Sequence, residues 1–234
     1  MQSTLGEFKE TASQEAFALQ NSKLLKVSLQ QITIQAKLGS MVAYQGDVKF
    51  EHAGSGGVSR LMKKAMTGEG TSLMKIEGSG EVFLGDQAQD IHLIKLENDQ
   101  ITCNGANLLA FDAGIDWDIK REKGVGALSG GLFNMALSGS GWVAVVSDGP
   151  PVLLQTGDAA TYAAPQAAIT WASSVQTSMK TDVNLKTLIG RGSGESVQMA
   201  FSGPGWVLVQ PSEGRVLQTS NTGGGGGVLG NLTG

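Results

Sequence analysis

Histidine, cysteine and the carboxylates are the side chains here that could move a proton, hold a metal or attack a carbon. Their spacing argues against each task. His52 and His92 stand 40 residues apart, neither beside a cysteine, and no His-x-x-x-His or Cys-x-x-Cys pair exists. Both read as β-surface histidines, and no metal site is expected. Cys103 lies in the strand-like run Ile101-Thr102-Cys103 with no cationic neighbour to lower its pKa. It reads as an inert strand thiol. Serines are plentiful, but Gly-x-Ser-x-Gly does not occur and the histidines have no evident Asp partner in sequence. Asp112, Asp116 and Asp118 cluster around Trp117. They form either a small acidic edge or a charge that discourages strand pairing at a sheet border, the second needing fewer assumptions. No catalytic residue and no cofactor is expected, and the chain does not read as an enzyme.

Glycine-rich loops could cradle phosphate. Gly68-Glu69-Gly70-Thr71 and Gly190-Arg191-Gly192-Ser193-Gly194 lack the P-loop spacing, and no strand–glycine turn–long helix unit surrounds them. A different glycine pattern is more informative. Gly78-Ser79-Gly80-Glu81-Val82, Gly139-Ser140-Gly141-Trp142-Val143 and Gly203-Pro204-Gly205-Trp206-Val207 each run from Gly-x-Gly into an apolar segment, the central glycines 61 and 64 residues apart. An aromatic (Tyr44, Phe111 or Trp171) precedes each second glycine by 30–36 residues. A fixed period points to a repeated supersecondary unit. Gly78, Gly80, Gly139, Gly141, Gly203 and Gly205 are therefore expected to be structural turns. Trp142 and Trp206 follow the glycines where the first unit has Glu81, and Trp117 and Trp171 lie near the other mark. The four tryptophans pack between units or, if exposed, mark an interface or ligand cleft.

The elements that must position these residues are short strands. Lys26–Leu29, Ile32–Gln35, Ile91–Ile94 and Gln100–Cys103 alternate with period two, and Val143–Val146 is apolar throughout. Turn chemistry separates them at Gly39-Ser40, Asn98-Asp99, Asn104-Gly105 and Asp148-Gly149-Pro150. A weak helix is expected over 7–20 and a short one over 58–66, with glycine-rich loops at the counterparts 124–131 and 189–194. The reading is all-β: an N-terminal segment 1–22, β-modules at 23–86, 87–149 and 150–214, and a flexible tail at 215–234 that includes five consecutive glycines. The third module has a worn front half at Tyr162-Ala163-Ala164-Pro165.

Composition bounds the function. The 234 residues are 41% hydrophobic and 16% charged, with 34 Gly and 5 Pro, enough to bury a core and supply many turns. A net charge of −4 disfavours a nucleic-acid partner. The local clusters Arg60, Lys63, Lys64 and Lys120, Arg121, Lys123 lie beside acidic residues and read as solvated faces. A single cysteine suits a reducing compartment. No signal peptide or transmembrane segment is read, so a cytoplasmic location is expected, with membrane-surface contact through basic loops left open.

Three ordered motifs carry a family resemblance over about residues 20–212. They are Leu38-Gly39-Ser40-Met41-Val42-Ala43-Tyr44; Gly68–Leu73 leading to Gly78-Ser79-Gly80-Glu81-Val82 after the basic Arg60–Lys64; and Gly203-Pro204-Gly205-Trp206-Val207-Leu208-Val209-Gln210. The chain resembles the bacterial branch of the altered-inheritance-of-mitochondria family. The resemblance implies three β-sandwich or β-roll modules with pseudo-threefold symmetry, like a double-stranded β-helix and like the subunit of the tryptophan-responsive RNA-binding attenuation protein. It also implies oligomerisation. RNA and tryptophan binding do not carry over, since no residue matches support them, and a mitochondrial role is not expected, since the third module's front half is worn and no transit peptide is read. The expected function is a homo-oligomeric scaffold or adaptor with protein partners. The alternatives are a small-molecule or peptide binder using inter-module clefts, and an RNA- or membrane-surface binder using the basic loops.

Overall fold

A computed structural model describes residues 3–30, 32–52, 72–121, 133–181 and 197–212. Among them the chain is all-β, with no α-helix. The strands are β1 (Phe17–Asn21), β2 (Leu24–Gln30), β3 (Ile34–Lys37), β4 (Met41–His52), β5 (Leu73–Leu84), β6 (Asp90–Asn104), β7 (Leu108–Asp112), β8 (Asp116–Arg121), β9 (Phe133–Ser147), β10 (Val152–Thr156), β11 (Thr161–Ala163), β12 (Ala168–Ala172), β13 (Gln176–Thr181), β14 (Val197–Ser202) and β15 (Gly205–Val209). One sheet runs β1-β2-β5-β3-β7-β9-β6-β12-β15-β10, with β4 added to β5 and β8 to β9; a smaller sheet is β11-β14-β13. The ladders that join these strands are antiparallel.

Alternation explains why these segments are strands. In β2, Leu25, Val27 and Leu29 are fully buried, while Ser28 and Gln30 face outward to differing degrees. Burying such a side chain contributes roughly 1.5–3 kcal/mol, and only a two-residue period puts all three on one face. Val143, Ala144, Val145 and Val146 are buried without alternation. They lie in the middle strand of a set, flanked by β6 on one edge and β7 on the other.

The two sequence marks meet across the ladders. Tyr44 pairs with Val82, Phe111 with Val143 and Trp171 with Val207. Ladders also cross the expected module borders: β3 pairs with β7, and β6 with β12. The buried clusters follow suit. One joins Val27, Ile34 and Ile76 to Leu109 and Ala144. A second joins Leu73 to Phe111, Val143 and Ile169. A third surrounds Trp171, Met199, Phe201 and Val207.

Several expectations change. Gly78 and Gly80 lie inside β5, and Gly139 and Gly141 inside β9, so these are not turns between strands. Only at Gly203-Pro204, between β14 and β15, does the pattern interrupt a strand. All six glycines have positive φ, which lets the strand change course without ending. Asn98-Asp99 is likewise a bulge inside the continuous strand β6, with Asn98 at φ 55 and its N–H donating to Ser140 Oγ at 2.8 Å. The weak helix over 7–20 is absent. Leu5–Phe8 makes one 3-10 turn, and Phe17 onward is strand, because Phe17 to Asn21 spend their backbone groups on β2. Lys26 fastens this segment, bonding Glu81 at 2.8 Å, Glu10 at 3.3 Å and the Thr11 carbonyl at 3.2 Å. Tyr162 and Ala163 of the worn front half form the short β11. The helix expected over 58–66, the loops over 124–131 and 189–194, and the tail lie outside the described residues.

Candidate functional site

The chemistry-bearing residues are placed as follows. His92 on β6 sits 2.7 Å from Ser147 Oγ on β9, a pairing across 55 residues that local sequence could not reveal. It is not a nucleophile–base pair. Ser147 is fully buried, and its hydroxyl proton is already donated to the Gly149 carbonyl at 2.6 Å. The hydroxyl therefore accepts from His92 Nε2, whose pKa burial lowers against the opposing charge of Asp90. His92 opposes Val145 in the ladder, and its counterpart by register in the first unit is Leu25, opposite Leu84. His52 ends β4.

Cys103 is buried, its thiol pushed up to about 12 by desolvation, against a 3.3 Å hydrogen bond to Thr170 Oγ1. A thiol so placed is almost wholly protonated at neutral pH and has no access to a substrate. Among the described residues, no three of His, Cys, Asp and Glu converge as metal ligands would.

The three aspartates near Trp117 part company. Asp116 and Asp118 lie exposed on β8 at the border of β9. Asp112 instead turns inward. Between its ladders to β7 and to β8, β9 leaves the Trp142 N–H without a strand partner, and Asp112 Oδ2 accepts it. A Cβ at Gly141 would fall 2.7 Å from this oxygen, which accounts for the glycine. Burial raises the Asp112 pKa, partly offset by the Trp142 bond. A raised folded-state pKa adds stability that is complete below the ordinary carboxylate range and lost as pH rises through the folded pKa. Glu77, held below its usual range by Lys75 at 2.6 Å, acts in the opposite sense. The difference between Asp112→Asn and wild type isolates Asp112. Asn keeps the acceptor without the charge, so its melting temperature should gain on wild type as pH rises from 4 to 8. A constant difference across that range would refute the burial argument.

The tryptophans are spread over the three buried clusters. Trp171 is buried and edge-on to Phe201, ring centroids 5.7 Å apart. Trp142 is half-buried over the first cluster, with Lys95 Nζ 5.3 Å from its ring centroid. Trp117 and Trp206 pack against the second cluster. Trp171 alone lines a groove of about 470 Å³, with Lys120, Gln100, Thr102, Ser173 and Gln176. A smaller groove of about 250 Å³ lies among Thr33, Asp47, Lys49 and Glu77.

Open sheet edges are the most unusual surface feature. Met41, Val42 and Tyr44 on β4 are 38%, 62% and 49% exposed, with Leu38 just before them also exposed. The positions that oppose the same valine-bearing segments elsewhere are Leu108–Phe111 on β7 and Ala168–Trp171 on β12, and all are buried. The second edge of β7 is covered by β3, and that of β12 by β6. Among the described residues β4 pairs only with β5. Val152 and Leu153 on β10, and Tyr162 on β11, are exposed as well.

Comparison with known proteins fixes the ancestry of this architecture. The sequence pattern of the family described as "Mitochondrial biogenesis AIM24" matches residues 17–212, most of the chain. The chain belongs to that family. No curated protein matches it. Among solved structures, the AIM24-family chain is similar to the X-ray crystal structure of protein SPYM3_0169 from Streptococcus pyogenes. The TM-score is 0.68 at 20% identity, covering 84% of this chain and 92% of that one. At that identity the likeness establishes the fold alone. No helix among the described residues is long and apolar enough to cross a membrane. Of the basic residues singled out, Lys120 and Arg121 are the last two residues of β8, and Lys120 lines the larger groove. Arg60, Lys63, Lys64 and Lys123 lie outside the described residues.

Proposed function

We propose that this AIM24-family chain is a non-enzymatic scaffold that works by assembling with itself, in the cytoplasm, and by presenting the assembly to protein partners. One observation carries the reading: a strand edge at Met41–Tyr44 that is apolar and, among the described residues, unpaired, where the comparable segments are buried and paired on both sides. Edges of this kind are templates for another chain, and proteins that must stay monomeric blunt them with charge or proline. Met41-Val42-Ala43-Tyr44 has neither. The matched registers of Tyr44–Val82, Phe111–Val143 and Trp171–Val207 support three copies of one module arranged around a common axis.

A second reading is favoured by the larger groove, which lies between β6 on one side and β12 and β13 on the other. Its volume falls within the range of small-molecule sites, about 300–1,000 Å³, and Lys120 with several amides and hydroxyls would suit a polar or anionic ligand. Native mass spectrometry on gently purified protein separates the two. A closed homo-oligomer without adduct is the expected result. A monomer carrying a stoichiometric adduct would replace the scaffold reading with the binder, and a bare monomer at tens of micromolar would sink both.

A further inference from the structure

The assembly reading can be taken to a specific contact, which rests on it. Three segments occupy the same place relative to the valines: Ile34 opposes Ile76, Ile101 opposes Leu137 and Thr161 opposes Phe201, each partner six residues before Val82, Val143 or Val207. The first two segments have a further use. Ile34, Gln35 and Ala36 pair on their outer edge with Asp112, Phe111 and Ala110. Ile101, Thr102 and Cys103 pair with Ala172, Trp171 and Thr170. The third segment, β11, pairs only with β14 and is an outer strand of its sheet. Its missing partner by the same register is Gln45, Tyr44 and Ala43, and these lie on the open edge of β4. One molecule thus carries both halves of a joint that its interior makes twice, and among the described residues both halves are unpaired.

We propose that β11 of one copy adds antiparallel to β4 of a second copy, with Thr161 opposite Gln45, Tyr162 opposite Tyr44 and Ala163 opposite Ala43. The joint is head-to-tail. It uses different surfaces on the two copies, so it propagates until the rotation closes a ring or leaves a filament. Each joint covers Val42 and Tyr44 on one copy and Tyr162 on the other, all exposed in the single chain.

Cysteine pairing tests the register. Directly opposed antiparallel residues have Cα atoms about 4.5–5.5 Å apart, within disulfide reach. Cys103 is buried and does not compete. Ala43→Cys and Ala163→Cys proteins are prepared separately, mixed and oxidised under native conditions. A disulfide-linked dimer from the mixture, absent from either variant alone, is the expected result. The double variant Ala43→Cys/Ala163→Cys should then give a ladder of linked chains. Val42→Lys, which places a charge on the edge, should reduce the native oligomer to monomer that still unfolds cooperatively, with a melting temperature that no longer depends on protein concentration.

The failures are distinguishable. An internal disulfide in a monomeric double variant means the joint closes within one chain, and overturns the proposal. A native oligomer that neither cross-links nor responds to Val42→Lys assembles through another surface; the scaffold reading survives and this joint does not. A wild-type monomer that does not cross-link overturns both.

Discussion

Replacing Gly78 by alanine is expected to destabilise the chain by about 2–5 kcal/mol. Two costs add. Gly78 has φ +127, where an L side chain costs about 1–2 kcal/mol. A Cβ there would also lie inside the van der Waals envelope of the Asp47 carbonyl oxygen, with Val48 Cα 3.2 Å away. Both obstacles are backbone of the paired strand β4, which has no rotamer with which to yield, and overpacking of this sort costs roughly 1–3 kcal/mol. For a chain of this size the melting temperature should fall on the order of 10 °C. Gly139→Ala is the informative control. Its φ is also positive, at +123, but a Cβ would meet nothing nearer than 3.9 Å. It should show the conformational cost alone, a clearly smaller fall. Equal losses at the two sites would mean that backbone conformation, and not close approach of β4, is what the glycine serves.

That pair of glycines also marks how far the sequence could be read. The Gly-x-Gly period and its aromatic partners were legible because they are local and recur. The structure places each aromatic opposite the valine that follows the glycines. Their role inside a strand was not legible, because the same dipeptide chemistry serves a hairpin and a bend in a continuous ladder. Asn98-Asp99 shows the same ambiguity, as a bulge and not a reversal. The site was harder still. Asp112 reads as one of three acidic neighbours of Trp117, yet its task is set by a gap in β9, 30 residues on. The exposure of Met41–Tyr44 depends on which strands fail to arrive, and no local pattern records an absent neighbour.

The third set of strands is tied to the rest of the fold by a side-chain network as well as by its ladder to β6. Where β9 leaves the core and β15 ends, one side chain joins three separate segments. Gln210 is buried, with its Oε1 accepting from the Asp148 N–H at 3.0 Å and from Asn107 Nδ2 at 3.3 Å, and its Nε2 donating to the Gln166 carbonyl at 3.1 Å. Its own N–H bonds the Ala167 carbonyl at 2.9 Å. Asp148 is held in turn by Gln89 Nε2 at 2.7 Å and Ser212 Oγ at 3.3 Å.

Gln210→Ala leaves the Asp148 N–H and the Gln166 carbonyl unpaired, while Asn107 keeps its 2.8 Å bond to the Val146 carbonyl. An unpaired buried group costs roughly 1–3 kcal/mol; both groups here are part-buried, so the lower part of that range applies to each and the expected loss is about 2–4 kcal/mol, read from urea unfolding. Gln210→Glu sharpens the test. It preserves the acceptor toward Asp148 and Asn107 but turns a second oxygen toward the Gln166 carbonyl and buries a charge. The loss should equal or exceed that of alanine, and should shrink as the pH falls and the carboxyl takes a proton that it can donate to Gln166. A loss below about 0.5 kcal/mol for alanine would mean that water satisfies the vacated groups. The third set of strands would then be held by its ladder to β6 and by the packing of Ile169, Trp206 and Leu208 on the second cluster. In that case the position of β11, and with it one half of the joint proposed between copies, would rest on that ladder, that packing and the pairing of β11 with β14.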